Sequence, residues 1–312
     1  VREHLERLSG SAKGLGLSES LRVAALEEAV VRTVERAGEE LGGVARLRVR
    51  LTMTGGDLNL LGKARSTGVS GKSGTYPPAP SLGEGEEGQT PTLLIVAQPA
   101  TEYPGEMFER GVGVVLADLR VNPLDPFSGH KTLNYWPRLR ELQLAAGKRA
   151  AEALVFQVTN HLAGGCVSNA FVVRGGAVYT PIARGEEREV ADGGGNATPG
   201  SPRRAPSNLE DSATPSAGAE GDLGGHGAVL PSPVLPGIVR RWVMDWCAAE
   251  GIDVERRMLT IDDVLGADEV FLTNSSWGVL PVVKVEREAV ADGVVGEVSR
   301  RLVGAWSELV ST

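Results

Sequence analysis

Apolar residues recur at helical spacing in the first part of the chain. Leu5, Leu8 and Ala12 share one face of a helix over residues 2–15. Leu21, Ala25, Ala29 and Val34 do the same over about 19–41, where Gly42-Gly43 stops the second helix. The period then drops to two: Leu47 to Met53 alternates apolar and polar residues and reads as a half-buried strand. Residues 55–90, rich in Gly, Ser and Pro, show no periodic core pattern, and strands resume at 92–97 and 113–119. Tyr135–Ala153 reads as a long helix, followed by strands at Leu154–Val158, Ala170–Arg174 and Val178–Thr180. Residues 184–229 are low-complexity and too poor in apolar side chains to offset the entropy of ordering, so disorder is expected there. The pattern closes with helix Ile238–Glu250, strands Glu269–Thr273 and Val279–Val285, and an amphipathic helix over 296–310.

These elements predict an α/β (α+β) chain of two lobes. A smaller N-terminal α/β lobe covers 1–119 with the insertion 55–90. A junction covers 120–129, and a larger C-terminal lobe covers 130–312 with the insertion 184–229. The formal net charge of −8 over 312 residues argues against nucleic acid or an anionic membrane as partner. No run of 18 apolar residues predicts a membrane helix. Two cysteines, Cys166 and Cys247, exclude a disulfide scaffold or a Cys-rich zinc site, and the four histidines are scattered, so no metal is expected. The expectation is a soluble intracellular enzyme, cytoplasmic or organellar. Val1 opens in mid-helix pattern without Met, which suggests a fragment that has lost its beginning and any targeting region with it.

Several motifs are decoys. Gly71-Lys72-Ser73 lacks the leading Gly of a P-loop and is followed by Tyr76-Pro77-Pro78 rather than a helix. Gly14-Leu-Gly16 lacks the third Gly of a dinucleotide fingerprint and reads as a helix terminus. Cys247 lies on an apolar helix face and reads as a core thiol.

The informative stretch is Gly129-His130-Lys131-Thr132-Leu133-Asn134-Tyr135-Trp136. Lysine is scarce in this chain, and Lys131 stands between Gly-His and an apolar-aromatic run. The surrounding motifs, in order, are Arg2-Glu-His-Leu-Glu-Arg-Leu8 with Ser11-Ala12; Tyr103-Pro104; Arg120-Val-Asn122; Lys131-Thr-Leu-Asn-Tyr135; Ser168-Asn169-Ala170-Phe171; Leu235-Pro-Gly-Ile-Val-Arg240; and Ala267 to Thr273 ending at Pro281-Val282. Together they resemble the class IV aminotransferases, pyridoxal-phosphate enzymes of fold type IV. That group holds branched-chain aminotransferases, D-amino acid aminotransferases and aminodeoxychorismate lyases, and the resemblance runs the length of the chain. It implies pyridoxal 5'-phosphate as cofactor, amino acid and 2-oxo acid substrates, and a homodimer.

Carried onto this sequence, the resemblance makes Lys131 the Schiff-base lysine and general acid/base, a buried ammonium of lowered pKa. Arg7 would contact the phosphate, as would the backbone of Ile238 and Val239 after Gly237 and the turn at Asn274 and Ser275. Arg7 could alternatively serve only as an ion-pair partner of Glu3. Tyr135, Gly164, Ser168 and Asn169 would surround the cofactor ring, with Gly164 where the family has a Glu paired to the ring nitrogen. Restoring Glu at 164 is then expected to strengthen the ring as an electron sink, unless the glycine is there to admit a backbone, in which case overpacking would cancel the gain. Arg50 matches an arginine near the branched-chain substrate site, although an alternating strand can also turn an Arg outward. The first reading is amino-group transfer between a branched-chain or D-amino acid and a 2-oxo acid. The Lys-x-Leu-Asn pattern favours a lyase-like elimination releasing pyruvate as runner-up, and Gly164 motivates a third reading, a cofactor-binding homologue of impaired activity.

Overall fold

The computed structural model describes residues 1–42, 46–55, 91–188 and 230–311. The decoy at Gly71-Lys72-Ser73 and almost all of the two expected insertions lie outside these residues. Helix α1 (Arg2–Gly14) buries Leu5 and Ala12, as their spacing predicts. It ends one residue early because Gly16 takes a left-handed turn, φ 66°. Helix α2 (Val23–Glu40) lies against a two-stranded antiparallel sheet of β1 (Leu47–Thr54) and β2 (Thr92–Pro99).

A short helix, α3 (Glu106–Glu109), leads into β3 (Val112–Val121). Sequence places residues 113–119 in the N-terminal lobe. In the structure β3 runs parallel to both β4 (Glu152–Gln157) and β10 (Gly278–Val285), inside the large sheet. There both of its edges are paired, and Val112, Val114, Val115 and Ala117 are buried between layers.

The large sheet has nine strands in the order β5-β4-β3-β10-β9-β6-β7-β8, with β11 (Glu288–Ala289) on β10. Its other members are β5 (Leu162–Gly165), β6 (Asn169–Arg174), β7 (Ala177–Thr180), β8 (Val254–Arg256) and β9 (Glu269–Asn274). The helix expected over 135–153 is shorter: α4 spans Trp136–Gly147 and stops before Arg149, whose φ is 60°. Strand β4 therefore begins at Glu152, two residues before the expected Leu154. Helix α5 (Ile238–Ala249) and helix α7 (Glu297–Ser311) cover Phe171, Phe271 and Val279 on one side of the sheet. Helix α4 covers Val115, Ala153 and Val155. Leu154, Leu162, Val172, Leu272 and Leu280 form a further core closed by Leu259 and the short helix α6 (Ile261–Leu265). No helix among the described residues is long and apolar enough to cross a membrane.

Candidate active site

Helix α1 docks on the large lobe at the point where α5 begins. Arg7 donates through Nη1 to the carbonyl of Pro236 at 3.2 Å, and burial pulls its pKa down from the ordinary arginine value. Its alternative partner is engaged elsewhere: Glu3 pairs with Arg241 at 2.6 Å. Gly237 caps α5 in an extended conformation, and among the described residues no side chain caps the first amides of that helix. Arg7 and these amides form a donor set suited to an anion, reinforced by the helix dipole. Val239 turns its side chain into the core while Ile238 stays half-buried, so at these positions the backbone amides are the available donors.

Lys131 precedes α4 and donates to the Tyr135 hydroxyl at 3.2 Å, with Nζ 5.1 Å from the centre of that ring. Arg7 lies within electrostatic reach of Tyr135. The family resemblance implies a buried ammonium; Lys131 is instead exposed in the single chain. The loop that carries it runs along the molecular surface with Leu133 and Trp136 exposed beside it, and no described residue of the chain covers it.

Asn169, at the start of β6, donates to the carbonyl of Leu235 at 2.8 Å. With Arg7 on Pro236, the chain entering α5 is thus pinned from two sides. Ser168 points away from this group, its hydroxyl donating to Glu152 at 3.1 Å. Asn274 accepts from the amides of Ser276 and Trp277 at 2.8 and 3.1 Å, which shapes a turn with Ser275 exposed at its tip.

Gly164 lies in β5 opposite Val155. Its φ is 132°, and a Cβ built there would stand 2.7 Å from the Ser168 carbonyl oxygen. The backbone at 164 has no room for a side chain, which favours the steric alternative, a glycine that admits the Ser168 carbonyl, over simple restoration of a glutamate. Arg50 is exposed on β1 opposite Val96, where its side chain makes no hydrogen bond or ion pair among the described residues. No cluster of metal-ligating side chains occurs among the described residues.

Two neighbours of the site escape sequence reasoning. His4 stands one helical turn before Arg7, and its pKa is held down to about 4, first by burial and then by Arg7. Its i, i+3 spacing from Arg7 was the available signal. Glu152 is fully buried beneath the 165–168 turn, but as the opening residue of an apolar strand it carries no distinguishing sequence pattern.

The family profile described as Amino-transferase class IV matches residues 1–186 and 227–285. A putative branched-chain-amino-acid aminotransferase of Methanocaldococcus jannaschii is 22% identical over 99% of this chain and 81% of its own length. An aminodeoxychorismate lyase of Vibrio harveyi is 25% identical over 70% of this chain and 64% of its own length. Among solved structures, a T.th. branched-chain amino acid aminotransferase with pyridoxamine 5'-phosphate superposes with a TM-score of 0.67. It shares 21% identity and covers 99% of this chain and 78% of its own.

Proposed function

Because the chain belongs to the class IV aminotransferase family, we propose that it binds pyridoxal 5'-phosphate and moves an amino group between an amino acid, of branched-chain or D type, and a 2-oxo acid. The observation that carries this reading is the juxtaposition of an amine and an anion cradle. Lys131 Nζ meets the Tyr135 hydroxyl, Tyr135 lies near Arg7, and Arg7 holds the carbonyl just before the uncapped start of α5. These residues fit the cofactor: the donors suit its phosphate and the amine suits its aldehyde. When bound, pyridoxal 5'-phosphate supplies an aldehyde that captures amines and a ring that withdraws electrons from the substrate α-carbon.

The remaining work falls to the chain. Arg7, the amides of Ile238 and Val239 and the Asn274–Ser275 turn hold and orient the phosphate end. The Tyr135 hydroxyl, accepting from Lys131, fixes the direction of Nζ. Lys131 Nζ would take the α-proton as base and, as acid, deliver it to the carbon that was the cofactor aldehyde. Arg50 would serve the substrate carboxylate. A second copy of the chain would cover the apolar strip of Leu133 and Trp136, 70% and 67% exposed, and would shield Lys131 from water.

The lyase reading is favoured by Lys131-Thr-Leu-Asn134 and by the similarity to the Vibrio harveyi protein. An impaired homologue is favoured by the missing side chain at Gly164. Borohydride treatment of the protein loaded with pyridoxal 5'-phosphate should leave a single reduced adduct on the Lys131 peptide. An adduct on Lys148 or Lys284 would overturn the assignment. In a separate, unreduced sample loaded with the cofactor, amino transfer to 2-oxo acids identifies the first reading, pyruvate release from aminodeoxychorismate the second, and neither reaction the third.

A further inference from the structure

Glu152 opens β4 with its side chain 0% exposed. Burial pushes its carboxyl pKa up, and four donors oppose that shift. Oε1 accepts from the amides of Ala153 and Cys166, each at 3.1 Å; Oε2 accepts from the Val167 amide at 3.2 Å and the Ser168 hydroxyl at 3.1 Å. Every contact is a donor, so all four favour the carboxylate and offset part of the cost of burying it. The turn above it has little freedom, since a Cβ at Gly165 would lie 3.0 Å from the Glu152 Cδ.

Two arms leave this turn. In one, the Val167 carbonyl accepts from Asn274 Nδ2 at 3.3 Å, and Asn274 in turn shapes the loop that presents Ser275. In the other, Asn169 reaches the Leu235 carbonyl, beside the Pro236 carbonyl that Arg7 holds. We infer that Glu152 is a positioning residue that sets the Asn274–Trp277 turn in register with the start of α5, so that both address one phosphate group. The inference rests on the reading of this site as a pyridoxal 5'-phosphate site.

Replacing Glu152 by Gln keeps the shape but turns an amide NH2 toward donors, so part of the turn loses its acceptor. The test compares binding of pyridoxal 5'-phosphate with that of pyridoxal, which has the same aldehyde and no phosphate, together with thermal melts of the cofactor-free proteins. Wild type should prefer the phosphorylated compound. In Glu152→Gln its affinity should fall about tenfold, with pyridoxal binding unchanged. Equal losses for both compounds, or a lower melting temperature with the preference intact, would show Glu152 to be structural only and overturn the inference. A wild type that does not discriminate would overturn the reading of the site and this inference with it. Should Glu152→Gln fail to fold, Ser168→Ala removes one of the four donors and adds no group. It should lower affinity about threefold for the phosphorylated compound alone, and an unchanged preference would again overturn the proposal.

Discussion

His4 and Arg7 stand one turn apart on α1, both withdrawn from water at the start of α5, and burial is the first cause of the lowered pKa of each. With its pKa held down to about 4 against an ordinary 6.5, His4 stays neutral in the folded protein where the unfolded chain takes up a proton. Its contribution to stability is therefore complete above about pH 6.5 and declines as pH falls from there toward 4. Thermal melts across that window should fall less steeply for His4→Gln than for the wild type; parallel curves would count against the assignment. At Gly164 the constraint is geometric rather than electrostatic. With φ at 132° and the Ser168 oxygen 2.7 Å from any Cβ, Gly164→Ala should cost about 1–3 kcal/mol in urea unfolding. A neutral result would mean that β5 can relax away from β6.

Whole elements depend on single carboxylates. Helix α7 has its first turn held by Glu269 from β9, which accepts from the amides of Val298 and Ser299 at 2.9 and 2.8 Å. Gly296 allows this approach, because a side chain there would overlap the Glu269 carboxylate. Glu269→Ala should cost about 0.5–2 kcal/mol, and proteolysis should release the C-terminal helix earlier than in wild type. Unchanged protection of α7 would show that packing of Leu302 and Trp306 is sufficient to hold it. Helix α6 manages the same need locally, where Thr260 and Asp263 complete a reciprocal capping box.

At the scale of the molecule, the chain on either side of the segment 189–229 is joined by several hydrogen bonds and by a buried ion pair. Arg240, 1% exposed, meets Glu186 through both terminal nitrogens at 2.6 and 2.8 Å. Burial alone would raise the Glu186 carboxyl, but the Arg240 fork outweighs it and holds the pKa below the usual carboxylate range. Glu186→Ala leaves a buried guanidinium uncompensated and should cost about 3–5 kcal/mol, read as a lower midpoint in urea. A loss of only a few tenths would show that Pro181 and Thr180 satisfy Arg240 by themselves. Association between copies has its own test. Trp136→Glu places a charge in the exposed apolar strip beside Lys131 and should shift sedimentation toward the monomer. Unaltered sedimentation would count against this strip as an interface between copies.

Local patterning by itself determined most of the helices, the long strands and the order of the motifs, because 3.6- and two-residue periods record which face is buried. Lys131 stands out because lysine is scarce in the chain, whereas Arg7 and the Gly237-Ile238-Val239 segment enter only through the family resemblance of the short motifs that contain them. Tertiary structure decided the rest. Strand β5 is Leu-Ala-Gly-Gly, and its glycines conceal a strand that exists only because Val155 and Leu154 pair with it. The lobe to which Val112–Val121 belongs depends on its parallel neighbours, which enter only with Glu152–Gln157 and Gly278–Val285, far along the chain. Whether Lys131 is buried, whether Gly164 can carry a side chain and what Glu152 holds are set by atoms brought from distant segments, and no local pattern encodes those distances.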